Sequence, residues 1–237
     1  MRQLILSLCI IIALACHATT DNTSVLESRA TRAFDNREWA SALAIYTLLS
    51  EQKPKDVEPY SRAIVAAWMQ PDTSIIAQRV ELALSRGVPL DSLLKNVERD
   101  AFALGDAGIY CGVLKVSADR LPFLRRPIDK ALLSYYNGRA DGANMVIYAR
   151  LMLAGRPDDI SAMHALAKGY LLCGNTSSAL AAYEDILRHD PRDYDALVAL
   201  ATLLHDDPEA AHPLIMRALE IKPSPYLENL LKDSELK

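Results

Sequence analysis

His205, Asp206, Asp207 and His212 are the residues of this chain best suited by type to hold a metal, because imidazole and carboxylate together satisfy zinc or a similar ion. The two histidines are seven residues apart across an expected helix-to-helix turn, which is no recognised ligand spacing. Asp207, directly before Pro208, reads instead as the cap of the next helix. Paired carboxylates can divide general acid and base roles. Asp158-Asp159 and Glu184-Asp185, however, fall at helix starts or on solvated faces, and the first pair suits the positive end of the helix it begins. There is no HExxH, no CxxC and no Ser or Cys in a nucleophile motif, and the 9 glycines build no GxGxxG, GxxxxGKS/T or GxSxG loop. No catalytic residue, metal or cofactor is assigned. An enzyme with a site in the irregular middle of the chain is the remote alternative.

The whole chain is 237 residues, 51% hydrophobic and 24% charged, which excludes disorder and suits one substantial domain. With 26 Lys and Arg against 30 Asp and Glu, the formal charge of −4 argues against nucleic acid as a partner. Met1-Arg2-Gln3 followed by an apolar run from Leu4 to Ala15 has the length of a signal-peptide core and is too short for a membrane span of ~20 residues. Ala13 and Ala15 are the small residues that permit cleavage before Cys16, giving a signal peptide over 1–15 and a tether over 16–23. The run resembles a bacterial lipobox, which implies lipidation of Cys16. A conventional cut after Ala18 is the alternative. Either reading places the chain outside the cytoplasm, periplasmic or lipid-anchored to an envelope membrane of a bacterium. Cys111 and Cys173 are the cysteines left in the mature domain, too few for a disulfide framework, and both read as core residues of helices.

What positions the polar residues is a repeat. Met163, Leu166, Ala167 and Tyr170 lie at i, i+3, i+4 and i+7, one apolar helix face, and Ala179, Tyr183 and Ile186 repeat it on a second helix. Between them Gly174 suits a left-handed C-cap and Thr176 an N-cap, and Pro191 ends the second helix. A second hairpin starts at Tyr194, with Leu197, Leu200, Ala201 and Leu204, then Ala211, Ile215, Ala218 and Pro223. A half-apolar helix over 224–236 suits a cap on the stack. Near the other end Ala30, Ala42, Tyr46, Leu49 and Pro54 keep the same spacing, with Glu38-Trp39 opening the second helix. One helix is expected from Tyr60 through Trp68 and another from Ile75 through Leu84. Further on, Ile128–Tyr136 and Ala140–Ala154 form a hairpin, turned at Asn137-Gly138, with Ala143 and Ile147 in the small and bulky places. The weakest stretch runs over about 90–126, read as helices Asp91–Leu104 and Ile109–Ala118 of an irregular unit.

Seven positions between Ile160 and Asp193 match W-x₂-L-G-x₂-Y…A-x₃-F…P over 34 residues, so the chain resembles the tetratricopeptide-repeat (TPR) family over 24–237. The resemblance implies an all-α fold, a right-handed superhelical stack of about six antiparallel helix hairpins with a final capping helix. It also implies a non-enzymatic scaffold that binds a peptide or helix of another envelope protein in a concave groove. Carried onto the best units, the groove positions are Ser161, His164, Lys168, Leu171 and Leu172, then Asp195, Val198, Thr202 and His205. The Lys/Asn/Arg clamp with which some relatives hold a terminal carboxylate is not evident, since Lys168 stands without companions. The alternative is a glycan-binding module: Tyr135 and Tyr136 point ~100° apart on a helix, so that one of them, with Trp68, forms a stacking platform. Arg125, Arg126 and Arg139 offer an anion site or a solvated cluster.

Overall fold

The computed structural model describes residues 22–235; the expected signal peptide, Cys16 and most of the expected tether lie outside them. Among the described residues the regular elements are thirteen α-helices and one 3-10 turn, with no strand. They divide into two compact units at Arg125/Arg126. The division follows the chain chemistry: Pro122 and Pro127 bracket it, and neither can donate a backbone hydrogen bond.

The first unit holds α1 (22–35), α2 (Trp39–Gln52), α3 (Val57–Trp68), α4 (Ser74–Ser85), α5 (Leu90–Ala103) and α6 (Ala107–Arg120), followed by the 3-10 turn Pro122–Leu124. Helix α1 begins at residue 22 and so takes in the last two residues assigned to the tether. Ala30, Ala42, Tyr46 and Leu49 are buried, as the repeat spacing requires. Between α1, α2 and α3 the Arg62 guanidinium lies over the rings of Phe34 (5.4 Å) and Tyr46 (5.7 Å) and donates to the Tyr46 hydroxyl at 2.6 Å. Buried Asp100 of α5 accepts from Ser61 Oγ of α3 at 2.8 Å and from Arg99, which satisfies a carboxylate that burial would otherwise penalise. The stretch read as irregular is an ordinary hairpin, α5 and α6, turned at Gly105 with φ +76°. Its departure from the repeat pattern has a local cause. Gly112 stands where a small residue must, directly under the Trp68 indole.

The second unit holds α7 (Arg125–Gly138), α8 (Gly142–Gly155), α9 (Ile160–Leu172), α10 (Thr176–His189), α11 (Tyr194–Leu203), α12 (Pro208–Ile221) and the terminal helix α13 (Pro225–Glu235). Met163, Ala167, Tyr183, Ile186, Ala196 and Leu200 make one core and Leu197, Ala201, Ala211, Ile215, Ala218 and Leu227 the next, so each layer is shared by neighbouring hairpins. Leu227 of α13 closes the last core, as a cap does.

Three local expectations are corrected. The α7–α8 turn is Arg139-Ala140, not Asn137-Gly138: Ala140 takes φ +53°, and the Asp141 N–H reaches back to the Tyr136 carbonyl at 3.0 Å, closing the helix two residues late. Along α8, Gly142, Met145 and Ala149 face inward while Ala143 and Ile147 are exposed, because Gly142 meets Gly169 of α9 backbone to backbone. The cap of α10 is Asn175, whose side chain accepts from the Ser178 N–H at 3.1 Å, and Thr176 is the first helical residue.

Aspartates start six of the other helices. The side chains of Asp56, Asp106, Asp141, Asp159, Asp193 and Asp207 each accept a hydrogen bond from an N–H in the first turn of α3, α6, α8, α9, α11 and α12. Pro208 follows Asp207 at the first position of α12, as its fixed φ favours.

Candidate functional site

An open cleft of about 760 Å³ lies within the second unit between α7 and α9, with the end of α8 at its margin. One wall is the stripe Arg126, Lys130, Leu133, Ser134 and Asn137, which helical periodicity places on a single face of α7. The facing wall is Ser161, His164, Ala165 and Lys168, the corresponding stripe of α9. Met152, Arg156 and Asp159 complete the margin. The floor is apolar, with Leu133 almost wholly buried and Met152 and Ala165 half-buried.

Polar contacts fix several of these side chains. Lys168 Nζ donates to Asn137 Oδ1 at 2.8 Å, tying the two walls together near their C-terminal ends. His164 Nε2 pairs with Asp193 Oδ2 at 2.8 Å, while Oδ1 of the same carboxylate caps α11, so one wall of the cleft is braced against the next hairpin. The His164 ring packs edge-on against Tyr183 at 6.2 Å. Burial pushes the Tyr183 phenol above its ordinary pKa, and the Asp195 carboxylate adds to the effect. Arg156 lies 3.7 Å from Asp159, whose other oxygen caps α9. Arg126 and Lys130 make no hydrogen bond or ion pair among the described residues. Four cations and one engaged carboxylate therefore line the cleft.

The nine groove residues carried over from the repeat family separate into distinct places. Ser161, His164 and Lys168 line the cleft. Leu171 does not face it: the side chain packs on the core made by Met163 and Tyr183. Leu172 is exposed beside Gly142, at the end of α9 that meets α8. Val198 packs on the last core, and Asp195 is exposed on the first turn of α11. Thr202 Oγ1 donates to the Val198 carbonyl at 2.7 Å and lies 3.0 Å from the Tyr226 hydroxyl of α13, which occupies it. His205 turns back to the Thr202 carbonyl at 3.0 Å.

Arg126, Lys130, Asn137 and Arg156 were absent from that set. In the sequence Asn137 has the type of a turn residue, and Arg126 belongs with Arg125 and Arg139 to an anion site or a solvated cluster. The available signal was the period of α7, on which Arg126, Lys130, Ser134 and Asn137 share one face. Lys168 accordingly has companions that the repeat motif alone did not reveal.

The other chemical candidates resolve simply. His205 Nε2 lies 3.4 Å from Asp206 on the exposed surface, His212 is exposed and Asp207 caps α12. Among the described residues no three His, Cys, Asp or Glu side chains come together to hold a metal. Cys173 is exposed rather than core, Cys111 is half-buried, and neither forms a disulfide among the described residues. Tyr136 is buried and stacks on Tyr148 at 5.5 Å, and Tyr135 lies with Arg139 4.9 Å over its ring, so this pair presents no flat aromatic platform. Trp68 is held over Gly112. A second, smaller cleft of about 380 Å³ lies between α10, α11 and α12, floored by Leu187, Leu200 and Leu214.

Residues 160–203, which include the α9 wall, match the tetratricopeptide repeat family. That segment spans the hairpin α9–α10 and the first helix of the next, α11. No curated protein sequence matches the chain. Among solved structures, the C-terminal part of a TPR repeat-containing protein from Cytophaga hutchinsonii is similar at 15% identity and a TM-score of 0.50, over 86% of this chain and 83% of that one. A chain of the Naa15/Naa10 complex bound to HypK-THB is similar at 17% identity and a TM-score of 0.50, over 90% of this chain and 34% of that one. At these identities the likeness concerns the fold, an all-α TPR-like stack of hairpins. Among the described residues no helix is long and apolar enough to cross a membrane.

Proposed function

We propose that this chain is a non-enzymatic protein–protein interaction scaffold of a bacterial envelope, and that the α7–α9 cleft receives a segment of its partner. The observation that carries the reading is the cleft itself. Two first helices of successive hairpins present matching stripes over an apolar floor, open along the helix direction and large enough for several residues of a bound chain. The hydrogen bonds Lys168–Asn137 and His164–Asp193 brace both walls before a partner arrives, which lowers the ordering cost of binding. Export and a lipid tether at Cys16 belong to the same proposal and rest on the apolar run Leu4–Ala15 and the small residues preceding Cys16.

The test is site-specific photo-crosslinking in the intact envelope, with the probe at Ser161 inside the cleft and, as a control, at Glu184 on the rim of the smaller cleft. A discrete partner adduct at Ser161, lost in a Lys168→Glu background and absent at Glu184, is expected. Equal adducts at both positions would reject the cleft as the binding surface. Palmitate labelling of the wild type and of Cys16→Ser tests the tether separately, and an unlabelled wild type rejects it.

A further inference from the structure

Granted the cleft reading proposed above, we infer that its ligand is an internal acidic stretch of extended polypeptide, with carboxylates about three residues apart on either side of an apolar side chain. Charge is the first ground. Arg126, Lys130, Arg156 and Lys168 face the cleft, and its one carboxylate, Asp159, is committed to capping α9 and to Arg156. Lys168 is oriented by the neutral amide of Asn137, which holds the ammonium in place without cancelling its charge. Lys130 has no partner among the described residues.

Spacing is the second ground. Asn137, which marks the position of Lys168, lies seven residues beyond Lys130 on α7, about 10 Å along the helix at 1.5 Å per residue. An extended chain rises about 3.3 Å per residue, so the two ammonium groups match carboxylates at positions i and i+3. Between them Leu133, Met152 and Ala165 form the apolar floor, which suits one aliphatic side chain of the ligand. The cations are spread along the cleft instead of gathered around one point, and Arg126 extends the row about another helical turn beyond Lys130. A row grips side-chain carboxylates of a passing chain and has no need of a chain terminus.

The experiment uses the full mature chain and fluorescein-labelled octapeptides blocked as N-acetyl and C-amide. One carries Asp at positions 3 and 6 with Leu between, a second has Asn at both sites, and a third ends in a free carboxylate with no Asp. Two partly exposed ion pairs together separate the first two peptides by about tenfold in Kd at low salt, and the difference shrinks as salt screens it. Lys130→Glu with Lys168→Glu abolishes the preference, and Lys130→Arg with Lys168→Arg retains it. Equal binding of the Asp and Asn peptides, both displaced by crosslinking at Ser161, would overturn the acidic ligand while leaving the cleft as a peptide site. Preference for the free carboxylate would overturn the internal-segment reading. Failure of all three peptides to bind would overturn it as well, with the crosslinking experiment still deciding the cleft.

Discussion

Replacing Gly112 by alanine tests how the first unit is packed. A Cβ on Gly112 would stand 2.0 Å from Trp68 Cη2, 2.4 Å from Cζ2 and 2.5 Å from Cζ3. Ordinary contact begins near 3.4 Å, so the indole must move by about 1.5 Å, more than a rigid ring in a packed layer absorbs by small adjustments. Overpacking of this kind costs about 3 kcal/mol, and alanine returns about 1 kcal/mol through its helix propensity, which leaves Gly112→Ala about 2 kcal/mol less stable. Leucine is too short to reach Gly112 from position 68. In a Trp68→Leu background the same replacement therefore becomes stabilising by about 1 kcal/mol, and the coupling energy of the cycle is about 3 kcal/mol. Urea unfolding measures the cycle, followed by circular dichroism in all four proteins because Trp68 is itself a reporter. Trp39 and Trp68 are the only tryptophans and both belong to the first unit, so emission from the wild type and Gly112→Ala also assigns their transition to that unit. A neutral or stabilising Gly112→Ala in the wild-type background would refute the reasoning.

Three further outcomes are expected. Ala140→Gly raises the thermal midpoint, because removing a Cβ from a residue at φ +53° relieves a strain that exceeds the added entropy of the unfolded chain by about 0.5 kcal/mol; a lowered midpoint contradicts the turn geometry. Gly142→Ala costs about 2–3 kcal/mol, since its Cβ meets the Gly169 carbonyl oxygen and Leu172 Cβ at 2.7 Å, and it is costlier than Gly169→Ala, whose nearest contacts are 3.0–3.2 Å; the reverse order in urea unfolding would count against the α8–α9 crossing. Burial raises the Tyr110 phenol to about 12, with Glu98 contributing. Its folded pKa exceeds the unfolded value, so the stabilisation is complete below about pH 10 and is lost as pH climbs toward about 12. Unfolding between pH 9 and 12 should show this decline, flattened in Tyr110→Phe, and an unchanged slope in that variant would remove Tyr110 as the cause.

The hairpins were legible where packing is local. Ala167, Tyr183, Ala42 and Tyr46 sit at fixed spacings because two helices can approach only over a small residue and need a large one beside it, and all four are buried. Helix ends were less legible. The Asn137-Gly138 dipeptide is the stronger turn signal, yet the turn forms at Ala140, where φ is +53° and the Asp141 N–H returns to the Tyr136 carbonyl. Along α8 the inward face is decided by where Gly169 lies on a different helix, which periodicity within α8 does not encode. The same holds for the cleft. Ser161, His164 and Lys168 come from a well-formed repeat, whereas Arg126, Lys130 and Asn137 belong to a divergent one and become neighbours of Lys168 only through packing.

The capping aspartates bear on how such a scaffold meets its partner. Six carboxylates sit at helix starts, held by backbone amides, and contribute to a formal charge of −4; of the six only Asp159 lines the cleft, where it meets Arg156 and leaves Arg126, Lys130 and Lys168 uncompensated. The net charge of the chain is thus opposite in sign to the cations that line the α7–α9 cleft proposed as its binding surface. An acidic partner is repelled at a distance and attracted only once it is within about 8 Å, the screening length at physiological ionic strength. Moderate salt should then speed its arrival even as it loosens its hold, which makes encounter rate and residence time separately adjustable by ionic conditions.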